Sequence, residues 1–401
     1  MSEFRTIREL CSVVVDCPHS TPKWTANGKI VIRNKNIKHG KIDFSSPSYT
    51  DDEHFAQRIK RAKPQPGDII ITREAPIGDV GMIPENTECC LGQRMVLLRA
   101  NQSVCDNFYL LYSLQSLYVQ HQISWSEGTG TTVSNLRIPH LEQIQIPYLP
   151  LEQQAKISSV LRALEEKIEN NRRLNDNLQR QLRTIFKAEF TDNSELEKMT
   201  QIPLSELCHV VTKGTTPTTL GKPFVESGII FIKAESILAD HSLDKSKFAF
   251  IDEETNALLK RSVIHAGDIV FTIAGTLGRF ALIDDNALPA NTNQAVAIIR
   301  ADAEKVLPEY IYTCFIGEWH TDYYAKRVQQ AVQANLSLTT IKSLPIPVLD
   351  KAKMDEYLRL ILPLIKAIKG NEAQNEKLAA LRDALLPKLM SGEIDVSAVQ
   401  L

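Results

Sequence analysis

The sequence predicts an α+β protein: two homologous mixed α/β domains joined by two long helices that form an antiparallel coiled coil with pseudo-twofold symmetry. Three observations predict it. The 401-residue chain repeats itself at half its length, each half opens with β-branched runs separated by turn residues, and each half closes with a heptad seam.

The repeat is read first, because it sets the domain count. Gly67-Asp68-Ile69-Ile70-Ile71-Thr72 returns as Gly267-Asp268-Ile269-Val270-Phe271-Thr272, Asn135-Leu136 as Asn335-Leu336, and Ile146-Pro147-Tyr148-Leu149 as Ile346-Pro347-Val348-Leu349, each at an offset of 200. Glu9-Leu10-Cys11 and Glu206-Leu207-Cys208 match at 197. The boundaries that follow are a first domain over 1–150, a helix over 151–190, a linker over 191–200, a second domain over 201–349, a second helix over 350–390 and a tail over 391–401.

Within each domain, Lys29 to Ile32 and Gly228 to Ile232 read as strands, as do Asp68 to Thr72 and Asp268 to Thr272, each pair introduced by turn residues. Asn107 to Val119 and Pro308 to Arg327 read as helices rich in aromatic and aliphatic residues.

The heptad seams follow. Ile157, Leu161, Leu164, Ile168, Asn171, Asn175, Leu178, Leu182 and Ile185 alternate steps of four and three, and Tyr357, Ile361, Leu364, Ile368, Asn371, Asn375, Leu378, Arg382 and Leu385 repeat the phase 200 residues later. Pro363 and Gly370 weaken the second helix. A buried seam Asn fixes register, since an Asn facing Leu is left unsatisfied. Antiparallel pairing about the midpoints lets Asn171 face Asn375 and Asn175 face Asn371. The alternatives are asparagines pointing to water at a frayed seam and, for the helices as a whole, two long helices packed on their own globular parts.

Composition bounds the function. Hydrophobic residues at 43% and charged residues at 23% suit a soluble globular chain, and no apolar run approaches the 18 or so residues needed to span a bilayer. The start, MSEFRTIREL, does not read as a signal peptide, and the seven cysteines are odd in number and scattered, so a reduced, cytoplasmic protein is expected. Lys plus Arg (46) against Asp plus Glu (48) gives −2, so any nucleic-acid affinity must be local or shared with a partner.

The segment Gly130-Thr131-Thr132-Val133-Ser134-Asn135-Leu136, then Ile144-Gln145-Ile146-Pro147-Tyr148-Leu149-Pro150-Leu151-Glu152-Gln153-Gln154 leading into a long helix, resembles the conserved region of specificity subunits of type I restriction-modification enzymes. A second copy runs Asn335-Leu336-Ser337, then Leu344-Pro345-Ile346-Pro347-Val348-Leu349, and departs from the first where Asp350-Lys351-Ala352-Lys353 replaces Pro150-Leu151-Glu152-Gln153. The resemblance covers nearly the whole chain. It implies a non-catalytic, sequence-specific reader of double-stranded DNA, with two target-recognition domains reading the halves of a bipartite, asymmetric target and the helices acting as a ruler between them. It further implies two modification subunits that methylate adenine and restriction subunits that translocate and cleave. S-adenosylmethionine, ATP and Mg belong on those partners, with no cofactor in this chain.

The residues themselves agree with a reader. No phosphate-binding Gly-x4-Gly-Lys-Ser/Thr loop, no Asn/Asp-Pro-Pro-aromatic motif, no Cys-x2-Cys pair and no His-Glu-x-x-His occurs, which leaves no catalytic residues and no metal ligands to name. Asp68 with Glu74 and its echo Asp268 could suggest a nuclease metal pair, but Gly-Asp is ordinary turn chemistry and no Lys follows at the usual short spacing.

For DNA contact, Lys23 to Lys63 holds ten basic residues against four acidic ones. Lys23, Lys29, Arg33, Lys35, Lys38, Lys60, Arg61 and Lys63 are the candidates from that stretch, which also includes Lys41 and Arg58. Thr131 and Thr132 lie in a glycine-containing loop with a candidate helix start at Ser134 or Asn135, suited to a phosphate or to plain helix capping. Lys222 to Arg261 has six basic and seven acidic residues, so there the candidates are single side chains: Lys213, Thr215, Thr216, Lys222 and Lys233. Arg73, Arg94 and Arg279 could read guanine edges or form surface salt bridges. The rival readings are a coiled-coil adaptor that binds proteins without DNA recognition, and a stand-alone nuclease or methyltransferase with a degenerate site.

Overall fold

The computed structural model describes residues 3–38, 40–125, 135–192, 199–328 and 335–397. The chain divides into two compact units, residues 1–167 with 378–401, and residues 168–377. Two long helices, Leu151–Phe190 and Lys351–Ser391, each contribute to both units.

In the first unit, strands Cys11–Asp16, Met95–Ala100, Ile69–Arg73 and Ile77–Met82 form an antiparallel sheet in that order. A second sheet takes the order Cys89–Leu91, Lys29–Ile32, Ser48–Thr50, Trp24–Thr25, with the first pair parallel. The second unit repeats the plan with Cys208–Lys213, Val296–Ala301, Ile269–Thr272 and Phe280–Leu282, beside a sheet ordered Ala249–Ile251, Ile229–Ile232, Ala290–Thr292.

In each unit the strand that opens the repeat pairs with the one that closes it: Glu3–Thr6 with Gln145–Tyr148, and Thr200–Pro203 with Pro345–Val348. The closing strand's Pro147 and Pro347 carbonyls accept hydrogen bonds from the buried hydroxyls of Tyr109 (2.8 Å) and Tyr310 (2.6 Å). The repeated Ile-Pro-x-Leu motif therefore delivers the chain into each long helix from a fixed point.

The helical runs are shorter than the sequence predicts. Asn107–Gln115 and Leu117–Trp125 are separate helices, because Ser116 is extended (ψ 147°) and its hydroxyl is spent on the Ser113 carbonyl. Pro308–Ile316 and Thr321–Val328 are likewise separate. The first copy's conserved-loop helix starts at Ile138, after Arg137, rather than at Ser134 or Asn135; in the second copy the Ser337 hydroxyl caps Leu338–Lys342 by accepting from Thr340 N.

Parts of the two seams and some residues beside them are buried in the domain cores, while Leu164, Ile185, Leu364, Leu378, Arg382 and Leu385 are only half-buried. Ile157, Leu161, Leu389 and Met390 join the first unit's core, and Leu178, Leu182, Phe186, Phe190, Tyr357, Ile361, Ile365 and Ile368 join the second's. Within the second unit the two helices run antiparallel through an amide layer. Asn171 Nδ2 donates to Asn375 Oδ1 (2.9 Å) and Gln374 Oε1 (2.7 Å), Asn371 Nδ2 to Asn175 Oδ1 (2.7 Å), and Asn175 Nδ2 to the Ile368 carbonyl (3.3 Å). The second helix runs unbroken through Pro363, whose exposed position leaves the lost backbone bond on the solvent side.

Asp68 and Asp268 have a structural task. Arg99 Nε and Nη2 donate to Asp68 at 2.7 and 2.8 Å, Arg300 does the same to Asp268 at 2.7 and 2.7 Å, and both aspartates are buried. Each carboxylate also accepts the backbone N–H three residues upstream, Gln65 or His265, both at 2.8 Å, closing the Gly-Asp turn whose glycines sit at φ +83° and +82°.

Among the described residues no helix is long and apolar enough to cross a membrane, and no three His, Cys, Asp or Glu side chains converge as a metal site. All seven cysteines are free thiols, six of them buried; burial raises the Cys11 thiol to about 12 and Cys90 to about 11.

Candidate nucleic-acid interface

In each domain the loops leaving several strands meet at one end of the sheets. In the first, Cys17 N donates to the Met95 carbonyl (3.0 Å), Arg73 N to the Arg94 carbonyl (2.8 Å), Gly92 N to the Ile32 carbonyl (2.7 Å) and Leu136 N to the Arg73 carbonyl (3.0 Å). In the second, Gly214 N reaches the Asn293 carbonyl (3.1 Å), Ile273 N the Ala295 carbonyl (2.8 Å) and Leu336 N the Ile273 carbonyl (2.9 Å). Residues 16–19, 33–36, 73–76, 92–94 and 135–136, and their counterparts in the repeat, thus form one polar edge per domain.

The first edge is braced from within. Arg73 Nη1 donates to both Asp16 carboxylate oxygens (2.9 Å each), Nε to the Leu136 carbonyl (2.9 Å) and Nη2 to Asn135 Oδ1 (3.2 Å). Glu74 receives Asn135 Nδ2 (2.9 Å) and pairs with Arg94 (3.2 Å), and its carbonyl takes Asn34 Nδ2 (2.6 Å). Arg94 at φ +65° and Ala75 at φ +44° hold left-handed backbone, which for non-glycine residues costs on the order of 1 kcal/mol each and is tolerated where the surroundings over-determine the loop.

The candidate residues separate accordingly. Arg73 braces the edge, with every guanidinium nitrogen engaged inside the domain. Arg58, part of the basic stretch, is buried and donates to the carbonyls of Leu91 (2.7 Å), Ser20 (2.8 Å) and Pro18 (3.1 Å). Lys23 pairs with Asp51 (3.5 Å), Lys38 with Asp43 (3.9 Å), and Lys29 and Lys63 both with Glu88, whose carboxyl their hydrogen bonds and then their charges pull down to about 2. Lys35 donates to Ser46 Oγ (3.3 Å). Lys23, Lys29, Lys38 and Lys63 are therefore offset by carboxylates, whereas Arg33, Lys60 and Arg61 are exposed and without carboxylate partners among the described residues. Arg94 is exposed beside Glu74. Thr131 and Thr132 lie outside the described residues.

In the second domain Lys222 pairs with Glu254 (2.6 Å), Lys233 with Glu235 (3.0 Å), and Arg279 Nη1 donates to the Ile237 carbonyl (3.1 Å). Thr215 is half-buried, and the Thr216 hydroxyl donates to Gln294 Oε1. Lys213 stands in the register of Asp16, and Ile273 in that of Arg73, so the brace of the first edge is replaced by an exposed lysine with no carboxylate partner among the described residues.

Three features escaped sequence reasoning. Lys260-Arg261 repeats Lys60-Arg61 after the same short helix, also exposed; the offset of 200 was the available signal. The Arg33 guanidinium stacks over the exposed Trp24 ring (5.0 Å to its centroid) and the Lys233 ammonium over Phe224 (5.9 Å), a cation on an exposed aromatic at the same two positions of both copies. Gln93 and Gln294, just before the strands at Met95 and Val296, occupy corresponding positions at the two edges.

Comparison with known proteins places this architecture. The family model described as "Type I restriction modification DNA specificity domain" matches twice, over residues 3–180 and 197–378. The MjaIX type I restriction enzyme specificity subunit of Methanocaldococcus jannaschii is 25% identical over 349 residues, covering 82% of this chain and 78% of the relative. The MjaVIII specificity subunit of the same organism is 23% identical over 323 residues, covering 76% and 74%. The crystal structure of the S subunit of a type I restriction-modification system from M. genitalium shares the fold with a TM-score of 0.55 at 18% identity, covering 97% of this chain and 96% of that one. The chain belongs to the type I restriction-modification DNA specificity family, and is a non-catalytic specificity subunit of such a system.

Proposed function

We propose that each of the two edges reads one half of a split, asymmetric duplex target, and that the paired helices set the distance between the halves while this chain positions two adenine-modifying subunits and, in the full assembly, restriction subunits in the cytoplasm. One observation carries the reading: the same polar edge is built twice on one chain, from the same strand ends, with different side chains on it. Homologous readers with diverged surfaces suit a bipartite target with unlike halves. Exposed Arg33, Lys60, Arg61, Lys213, Lys260 and Arg261 supply phosphate contacts, which position the duplex without reading it. The Asn171–Asn375 and Asn371–Asn175 amides hold the helices in one register, because sliding either helix sets a buried amide against an apolar neighbour.

The test is to express the chain with its genomic neighbours in a methylation-free host and map modified adenines by sequencing. A split motif that disappears when this chain is omitted is expected; assembled, soluble subunits that modify no motif would overturn the reading in favour of a protein-binding adaptor. A heptad inserted in both helices adds about 10 Å, or roughly three base pairs, to the gap. The methylated motif should lengthen by that amount, at lower occupancy because the added pairs turn one half-site about a quarter turn around the duplex. An unaltered gap removes the ruler.

A further inference from the structure

We propose that Gln93 and Gln294 are base-reading residues, one for each half-site, acting as amides tethered at one end and open at the other. The proposal rests on the split-target reading and names side chains that perform it. The strand Met95–Ala100 corresponds to Val296–Ala301, an offset of 201 confirmed by Arg99 and Arg300 on the paired aspartates. Gln93 and Gln294 share that offset, so the same residue type stands two positions before the same strand in both copies.

Each glutamine is held by the loop that leaves the domain's first long strand. Gln93 Nε2 donates to the His19 carbonyl, and Gln294 Oε1 accepts from the Thr216 hydroxyl. His19 and Thr216 also correspond, at the offset of 197 that relates Cys11–Asp16 to Cys208–Lys213. The tether thus recurs through different chemistry: a backbone carbonyl in one domain, a hydroxyl in the other. It leaves opposite ends open among the described residues, the Oε1 acceptor of Gln93 and the Nε2 donor of Gln294.

The surroundings suit a reader rather than a buried tie. Gln93 is half-buried and Gln294 exposed. Gly92 packs so closely on the neighbouring strand that a Cβ there would lie 2.8 Å from the Ile32 carbonyl, fixing the backbone beside Gln93 next to the Trp24-stacked Arg33. In the second domain Gly214 N donates to the Asn293 carbonyl (3.1 Å), which sets Gln294 beside the strand end that carries the exposed Lys213. A cation for the phosphate and a restrained amide for the base edge are the two parts that direct readout requires. Restraint lowers the entropy cost of each contact, and an acceptor in one domain with a donor in the other gives related frames unlike preferences in the major groove.

The experiment uses the full chain assembled with its modification subunits in a methylation-free host, comparing methylated motifs for wild type, Gln93→Ala and Gln294→Ala. Each variant is expected to lower discrimination at one position of one half-site by about 5- to 150-fold, with the other half-site unchanged as an internal control of folding and assembly. Motifs as stringent as wild type in both variants, or loosening spread over both half-sites, would overturn the assignment and leave the glutamines as structural ties. A wild-type assembly that methylates no split motif refutes the underlying function instead, before either variant is scored.

Discussion

The amide layer between the helices can be tested energetically through Asn175 and Asn371. Asn371 Nδ2 donates to Asn175 Oδ1 at 2.7 Å; Asn175 is buried, whereas Asn371 is half-exposed. Replacing Asn371 by Leu strands a buried carbonyl oxygen, an orphaned acceptor that costs about 1–3 kcal/mol, so a loss of about 2 kcal/mol is expected. Asn175→Leu instead leaves the half-exposed Asn371 amide to water and buries an apolar side chain, so about 1 kcal/mol or less is expected. The double variant places two leucines against each other and should be near neutral or stabilising, giving a coupling of about 2–3 kcal/mol. Urea unfolding followed by Trp319 fluorescence, with Trp24 and Trp125 replaced by Phe, reads the second compact unit; Trp319 packs edge-on against Phe186 there, with ring centroids 6.1 Å apart. If the single effects add to the double within about 0.5 kcal/mol, the asparagines are independent and the layer does not set register. The double variant carries a second readout: stable helices without the amides should yield methylated motifs of mixed gap length.

Four further outcomes follow from particular side chains. His241 and His320 are buried in the second unit, and burial lowers each to about 4 from 6.5. The unfolded chain therefore takes up protons first as pH falls, so stability should drop between about 6.5 and 4 and level off below, with each histidine contributing up to about 2 kcal/mol of loss by pH 5; a urea midpoint unchanged from pH 7 to pH 5 would contradict this, and His320→Phe should flatten the slope. Asp268→Asn leaves Arg300 without its bidentate partner and should cost about 2–3 kcal/mol by urea unfolding, because the aspartate is fully buried while the arginine keeps some access to water. Gly370→Ala should stabilise the second helix by about 0.5–1 kcal/mol, since an added Cβ there meets open space; a lower melting temperature would show the glycine is needed. Replacing Lys60 and Arg61 together by Ala should reduce the slope of log binding constant against log salt by about 2, whereas Arg73→Ala should destabilise the first unit and leave that slope unchanged.

Much of the fold could be read from the chain because its signals are local or periodic. A 200-residue repeat and a seam stepping by four and three need no tertiary information, and they lead to two like domains, two long helices and the equivalence of Asn171 with Asn371. Helix ends were less legible: one residue, Ser116, divides what hydrophobicity alone makes continuous.

The polar edge of each domain is a different matter, because a charge's meaning depends on what lies opposite it in space. Arg58, Lys29 and Lys63 look like parts of one basic run, yet folding sends the first to three backbone carbonyls and the other two to Glu88. Arg73 finds Asp16 across 57 residues, and Gln93 finds His19 across 74. The sequence by itself determined the family, the duplication and the helical seams, which are patterns along the chain. Only the tertiary structure decided which polar groups are spent inside each domain and which are left facing outward, because strand pairing and loop closure choose the partner of every hydrogen bond.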